Sequence, residues 1–229
     1  MIKIPKKHFK WVFLQRSILE IIYKLDSRTA TEAEVSEAVT EDFTRDFNTI
    51  VKELPDNPKD VLDIGGGVGI LDILISEYYD HNVNIHIVDK DDFKLNHNFR
   101  MINYGPESNM GAYNDFNATY EIMEMNGVPK KNIHLYDVDK GEFPEIKMDT
   151  ILSITSWGWH FPLSVYANQI NLKHGGALIL DHRLDIERDE PEEIKLIDDQ
   201  FGGRKSCYTH FGYHEPDLKK GERWVWTNI

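Results

Sequence analysis

The run Val61-Leu62-Asp63-Ile64-Gly65-Gly66-Gly67-Val68-Gly69 feeds an apolar strand into a glycine-dense turn. An apolar-periodic stretch follows it, with Ile70, Leu71, Ile73, Leu74 and Tyr78 at helical spacing. Glycine lets the backbone bend sharply and lets a ligand come close, because no Cβ intervenes. The start of the helix beyond the turn presents free N–H groups and a partial positive charge to an anionic group. This chemistry suits a nucleotide-like ligand. The spacing excludes the nicotinamide and flavin fingerprint G-x-G-x-x-G. Counted from Gly65, the third glycine would fall on Ile70, and counted from Gly67 it would fall on Asp72. The pattern that fits is G-x-G-x-G at Gly65, Gly67 and Gly69, with Asp63 two residues upstream.

Three further strand ends carry polar groups. Val88-Asp89-Lys90 ends the second apolar run, about 20 residues past Gly69, where an acidic side chain can accept hydrogen bonds from both hydroxyls of a ribose. His134-Leu135-Tyr136-Asp137-Val138 ends the third, with Asp139 a neighbouring rival to Asp137. The fourth run, Thr150 to Ile154, opens into Thr155-Ser156-Trp157-Gly158-Trp159-His160-Phe161-Pro162. Ligands of doubly wound sheets sit at such carboxyl ends, beside the point where strand order reverses. Aromatic rings there can stack on a base or face a sugar.

The glycine turn resembles motif I of the class I S-adenosylmethionine-dependent methyltransferases, and Asp89 resembles their motif II. Asn171-Leu172-Lys173-His174-Gly175-Gly176 is similar to their L-K-P-G-G turn before the fifth strand, with His174 in place of the proline. The resemblance spans residues 60 to 182. It implies a Rossmann-like methyltransferase fold: α/β, with a mainly parallel seven-stranded sheet, a C-terminal antiparallel hairpin and N-terminal helices. It implies S-adenosylmethionine as cofactor, held by Asp63, Gly65, Gly66, Gly67, Gly69, Asp89, Lys90, Asp137, Val138, Ser156 and Trp157. In that family the residue at Asp137 holds the adenine amino group, which a carboxylate can accept, and the next backbone N–H, that of Val138, contacts the ring. The run from Ser156 to Pro162, with Leu180-Asp181-His182-Arg183, resembles a subgroup of bacterial and phage methyltransferase-like proteins, some described as sugar or polysaccharide O-methyltransferases.

A transferred methyl group needs an aligned acceptor and a site without water. If the acceptor is a hydroxyl, a base should take its proton, and histidine is the usual choice. His160 and His182 each follow a strand on the cofactor side and are the two candidates. Asp181 is placed to orient a histidine or bind the acceptor, and Arg183 to hold an anionic acceptor through its planar fork. Base N-methylation is disfavoured, because its D/N-P-P-Y/F motif is replaced by Ser156-Trp157-Gly158-Trp159. Neither a Lys-Asp-Lys-Glu tetrad nor a catechol-type metal cluster is evident. His210 and His214 lie in strand or loop sequence, where that spacing does not bring two rings onto one helical face, so no metal is expected. Two alternatives remain. An aminopropyltransferase shares the fold but has acids where this chain has Val68 and the run after the fourth strand. A methyltransferase-like subunit would keep the cofactor pocket without turnover.

The elements that must position these groups alternate from Asp60 onward, which predicts a mainly parallel sheet covered on both faces. Strands are expected near 60–64, 83–88, 132–136, 149–154 and 176–182, and helices near 69–79, 112–126, 162–172 and 190–200. Ser206 to Phe211 and Arg223 to Thr227 read as a terminal pair of strands. The core domain is expected over 59–229, with an irregular, lid-like insertion at 91–111. Residues 1–58 read as a helical extension packed on it. Trp11, Leu14, Ile18, Ile21 and Leu25 recur at helical spacing, for packing on the domain or on a second copy of the chain. Thr31-x-x-Glu34 resembles a capping box.

The chain has 229 residues, 28% of them charged, and a formal net charge of −13. So acidic a surface repels phosphate backbones, and long nucleic acid is not an expected partner; a small molecule or saccharide is. Cys207 is the single cysteine, which excludes an intrachain disulfide and fits the reducing cytoplasm. The apolar run at Trp11 to Leu14 breaks at Gln15 and Arg16, too early for a membrane span.

Overall fold

A computed structural model describes residues 1–16, 18–91, 114–160, 162–184, 191–211 and 217–228. Most of the expected 91–111 insertion lies outside the described residues, as do Phe161 and His214. The parallel core is built from β1 (Asp60–Ile64), β2 (Asn84–Asp89), β3 (Ile133–Asp137), β4 (Met148–Ser153) and β5 (Leu172–Arg183). With β6 (Lys205–Phe211) and β7 (Lys219–Thr227) they form one sheet in the order β3-β2-β1-β4-β5-β7-β6. The pairings from β3 to β5 are parallel, and β7 lies antiparallel to both β5 and β6. The order reverses between β1 and β4, and this crevice receives the glycine turn.

Alternation along β1 divides the core. Val61 packs with Ile85, Ile87 and Ile133 on one face, while Leu62 and Ile64 pack with Val88 and Ile151 on the other. The first face is covered by α1 (Phe9–Gln15), α3 (Glu32–Ile50), α4 (Ile70–Tyr78) and α5 (Phe116–Met125). The second is covered by α6 (Pro191–Phe201) and the segment after β4. The helix α3 starts where the capping box was read: Thr31 accepts from the Glu34 N–H, and Glu34 accepts from the Thr31 N–H. Helix α4 starts at Gly69, whose φ of 73° is left-handed.

Two expected helices differ. The N-terminal stripe is split into α1 and the short α2 (Ile18–Ile21), because the chain leaves helical geometry at Arg16 (φ −130°, ψ 80°). The Arg16 guanidinium turns to Asp42 and Asp46 of α3. Trp11, Val12 and Leu19 are buried in the same cluster as Ile73, Ile87 and Ile179 of the sheet and α4. Over 162–172 there is only a 3-10 turn, Leu163–Val165, followed by irregular turns. The Trp157 indole donates to the carbonyls of Pro162 and Leu163, which also accept the Val165 and Ala167 N–H groups at 3.3 Å. No described helix is long and apolar enough to cross a membrane.

Candidate functional site

The turn between β1 and α4 is shaped by left-handed backbone at Gly65 (φ 78°), Gly67 (φ 59°) and Gly69 (φ 73°), which other residues rarely adopt. Close neighbours forbid side chains there as well. A Cβ on Gly65 would collide with Ser156 after β4, and one on Gly69 would lie 2.6 Å from the Met123 sulfur. A Cβ on Gly66 would stand 2.9 Å from Asp63 Oδ2. The turn is pinned to its neighbours by backbone groups. The Gly65 N–H donates to the Val88 carbonyl at 2.7 Å, and the Gly67 carbonyl accepts from Asn114 at 2.8 Å and Thr119 at 3.2 Å.

Asp89 closes over this turn. Its Oδ2 accepts the Gly67 N–H at 2.8 Å and its Oδ1 accepts the Lys90 N–H at 2.7 Å. Loss of hydration outweighs these donors and pushes its carboxyl up to about 6. Asp89 pairs in register with Asp137 on β3, so two carboxylates stand side by side along the carboxyl edge. Asp137 is buried, accepts the Asp139 N–H at 3.1 Å and pairs with Lys140 at 3.0 Å. Val138 opens the 3-10 turn beyond it. The Lys90 ammonium turns to Asp139, at 3.3 Å.

Beneath the turn, Asp63 and Asp72 of α4 are both buried, and both Asp72 oxygens and Asp63 Oδ1 lack a hydrogen-bond partner among the described residues. Burial raises Asp63 well above the ordinary carboxylate range, and Asp72 and Asp89 push the same way. Burial also raises Asp72, to about 7. Both shifts favour the protonated, uncharged form of these two carboxyls.

The loop after β4 is bracketed on both sides. Ser153 donates to the Ile64 carbonyl at the end of β1, and its oxygen accepts the Trp157 N–H. Thr155, left-handed at φ 53°, donates its N–H to Asp181 at 3.1 Å. The Arg183 N–H donates to the Gly158 carbonyl at 3.1 Å. These bonds seat Ser156 against Gly65 and bring His160 into the same turn, its N–H on the Ser156 carbonyl at 2.7 Å. Trp157 is fully buried, with its ring among the residues of the α6 face.

Asp181 and His182 lie at the carboxyl end of β5. Asp181 is fully buried, and Arg223 holds it at 2.6 Å and 2.9 Å. Burial opposes its ionisation, yet the Arg223 charge and the contact with His210, at 3.0 Å, win and hold the carboxyl far below its usual range. The histidine that lies against Asp181 is therefore His210 of β6, which also faces the Trp159 ring at 4.9 Å. His182 is stacked flat on Trp224, centroids 4.1 Å apart. Among the described residues no group of three His, Cys, Asp or Glu is placed to hold a metal ion.

Sequence reasoning missed Gln15, Asn114, Thr119, His210 in this role and Arg223. Gln15 reaches the turn from the end of α1 and accepts the Val68 N–H at 3.1 Å. No local pattern marks such contacts, because their partners are distant in the chain.

The sequence matches no protein-family model and no curated protein. Solved structures do resemble it. A candidate O-methyltransferase from Nostoc punctiforme PCC 73102 aligns with a TM-score of 0.52 at 11% identity, over 96% of this chain and 69% of that one. An O-methyltransferase family protein from Burkholderia thailandensis aligns with a TM-score of 0.48 at 12% identity, over 97% and 70% of the two chains. Strand order, the terminal antiparallel strands and the first of these likenesses agree on architecture: the chain has the Rossmann-like fold of the class I methyltransferases.

Proposed function

We propose that the chain binds S-adenosylmethionine and methylates a hydroxyl of a small molecule, with sugars and saccharides the acceptor class to try first. The observation that carries this reading is the clasp between Asp89 and the Gly67 N–H at the point where strand order reverses. There the donor set fits the cofactor. Asp89 keeps lone pairs for the ribose hydroxyls, and Asp137 for the adenine amino group beside Val138. Gly65, Gly66, Gly67 and Gly69 with Asp63 beneath them shape the turn that the rest of the ligand lies on, and Ser156 forms the opposite wall, while Trp157, expected to touch the cofactor, is fully buried on the α6 face and anchors that loop from behind. Lys90 acts through its N–H, which orients Asp89.

When bound, the cofactor supplies a methyl carbon on a positively charged sulfur. The chain must hold an acceptor oxygen behind that carbon, exclude water and accept the hydroxyl proton. His160, half-buried in the turn that carries Ser156, is the base on this reading. His182, flat against Trp224, is the second candidate. Asp181 serves as a positioning group for the β5–β6 wall through His210 and Arg223. Self-association through the N-terminal segment would rest on Ile21 and Ile22, which stay exposed while Trp11 and Val12 are spent on the chain's own core.

Transfer of labelled methyl to a panel of sugars and other small hydroxyl compounds tests the reading. His160→Ala should bind the cofactor as the wild type does and transfer the methyl group at least about a hundredfold more slowly. Wild-type turnover in that variant would remove His160 from the site.

A further inference from the structure

We propose that Thr155 is a positioning residue that works as a strained latch: its left-handed backbone, held by the Asp181 carboxylate, keeps Ser156 and the loop after β4 seated on the glycine turn. The effect on ligand affinity rests on the cofactor reading above; the latch itself does not. Lys24, Asn57, Asp80, His81 and Thr155 are the described residues other than glycine with left-handed backbone, and of these Thr155 (φ 53°) alone has a branched Cβ. That conformation crowds a branched Cβ against its own backbone, so Thr155 without a partner would return to extended geometry. Such a departure persists only where the surroundings over-determine it, and departures of this kind gather at functional sites.

The surroundings of Thr155 are specific. Its N–H donates to Asp181 Oδ2 at 3.1 Å. Asp181 is fully buried, stands opposite Arg223 in the β5–β7 register, and is gripped twice by that guanidinium, at 2.6 Å and 2.9 Å. Thr155 therefore meets a fixed, charged acceptor. The next left-handed residue of the loop, Gly158 (φ 81°), packs on the backbone of the same aspartate: a Cβ there would fall 2.8 Å from the Asp181 carbonyl oxygen. Ser156 lies between these two holds. It fills the space that a side chain on Gly65 would need, since a Cβ on Gly65 would fall 2.5 Å from Ser156 Cβ. Relaxation of Thr155 to extended backbone would redirect the chain at that point and carry Ser156 off Gly65. One wall of the crevice where strand order reverses would then open.

The latch needs a carboxylate because both of its oxygens are used. Oδ1 meets Arg223 Nε and His210, and Oδ2 meets Arg223 Nη2 and the Thr155 N–H. Asparagine in its place has one acceptor oxygen and an NH2 group that faces N–H donors unfavourably. Glycine at position 155 takes left-handed backbone without strain, so it needs no latch.

Asp181→Asn, Thr155→Gly and the double variant test this with two readouts. Amide hydrogen exchange in the ligand-free chain reports the seat through two N–H groups that join the loop to the strands, Trp157 on Ser153 and Arg183 on Gly158. Calorimetric titration with S-adenosylhomocysteine reports the crevice. Asp181→Asn should speed exchange at these amides at least about tenfold and weaken the ligand at least about fivefold. Thr155→Gly should stay within about twofold of the wild type in both readouts, and the double variant should return to within about threefold. If Asp181 acted only through Arg223 and His210, the double variant would be no better than Asp181→Asn; that result, or unchanged exchange in Asp181→Asn, would overturn the latch. Faster exchange with unchanged ligand affinity would overturn its link to the crevice. A wild-type chain that does not bind the ligand would overturn the cofactor reading, while exchange would still decide the latch.

Discussion

Asp63 and Asp72 show how far side chains within one turn can depart from their ordinary chemistry. Both carboxyls are raised, Asp72 to about 7. An acid raised on folding binds its proton more tightly in the native state than in the unfolded chain. Its contribution to stability is therefore complete below pH 4 and is lost as the pH rises toward 7. The melting temperature of the wild type should fall between pH 5 and pH 8. Asp72→Asn, which can donate to Asp63 without titrating, should remove much of that fall and melt about 5 °C above the wild type at pH 8. Thermal melts at the two pH values check this; parallel curves for the two proteins would mean that Asp72 is not raised on folding. At this scale Asp89 and the glycines were legible in the sequence, because strand, turn and acid follow each other at short, fixed spacing. Asp72 was legible only as the residue that broke a dinucleotide fingerprint. Its pairing with Asp63 depends on the first turn of α4 facing the end of β1.

Elements are joined across the molecule by a chain of buried charge. Arg223 of β7 is fully buried, bonds Asp181 of β5, and reaches Asp46 and Thr49 of α3. Asp46 in turn holds Arg16 at the end of α1, and Asp181 holds His210 of β6. One guanidinium thus ties the N-terminal helices to the side of the sheet that lines the β4 loop. Removing it would leave Asp181 fully buried without its arginine counter-charge, while Asp46 keeps Arg16. Arg223→Met should cost about 3–5 kcal/mol in denaturant unfolding. Adding Asp181→Asn to that variant should recover part of the loss; a double variant no better than the single one would show that the charge on Asp181 is not what is left stranded. The alternation of strands and helices was readable because a parallel sheet needs apolar runs separated by crossovers. The expected helix over 162–172 is only a short 3-10 turn, whose first carbonyls meet the Trp157 indole, a contact that no pattern within the segment announces. The split between α1 and α2 is of the same kind, since Arg16 has partners in α3 that no local pattern reveals.

Across the whole molecule, the ends of four strands and the end of α1 meet around the glycine turn. The reversal point, the two carboxylates in register and the arrival of Gln15 lie along one edge of the sheet. The mainly parallel sheet and its terminal pair of strands were legible from the apolar runs, whereas the strand order was not. The contribution of the first residues to the site was not, because nothing near Gln15 in sequence announces contact with Gly67. Cofactor affinity should also follow the ionisation of Asp89. If Asp89 holds the ribose as proposed, its carboxylate form is the acceptor, and burial pushes its carboxyl up to about 6, so binding should strengthen as the pH rises from 5 to 7.

The most direct measurement is a calorimetric titration of wild type and Asp89→Ala with S-adenosylmethionine at pH 5 and pH 7. The account predicts one site per chain in the wild type, tighter at pH 7 than at pH 5, and affinity reduced about a hundredfold or more in a folded Asp89→Ala. A wild-type chain with no heat of binding, or an Asp89→Ala chain that binds as tightly as the wild type, would contradict it.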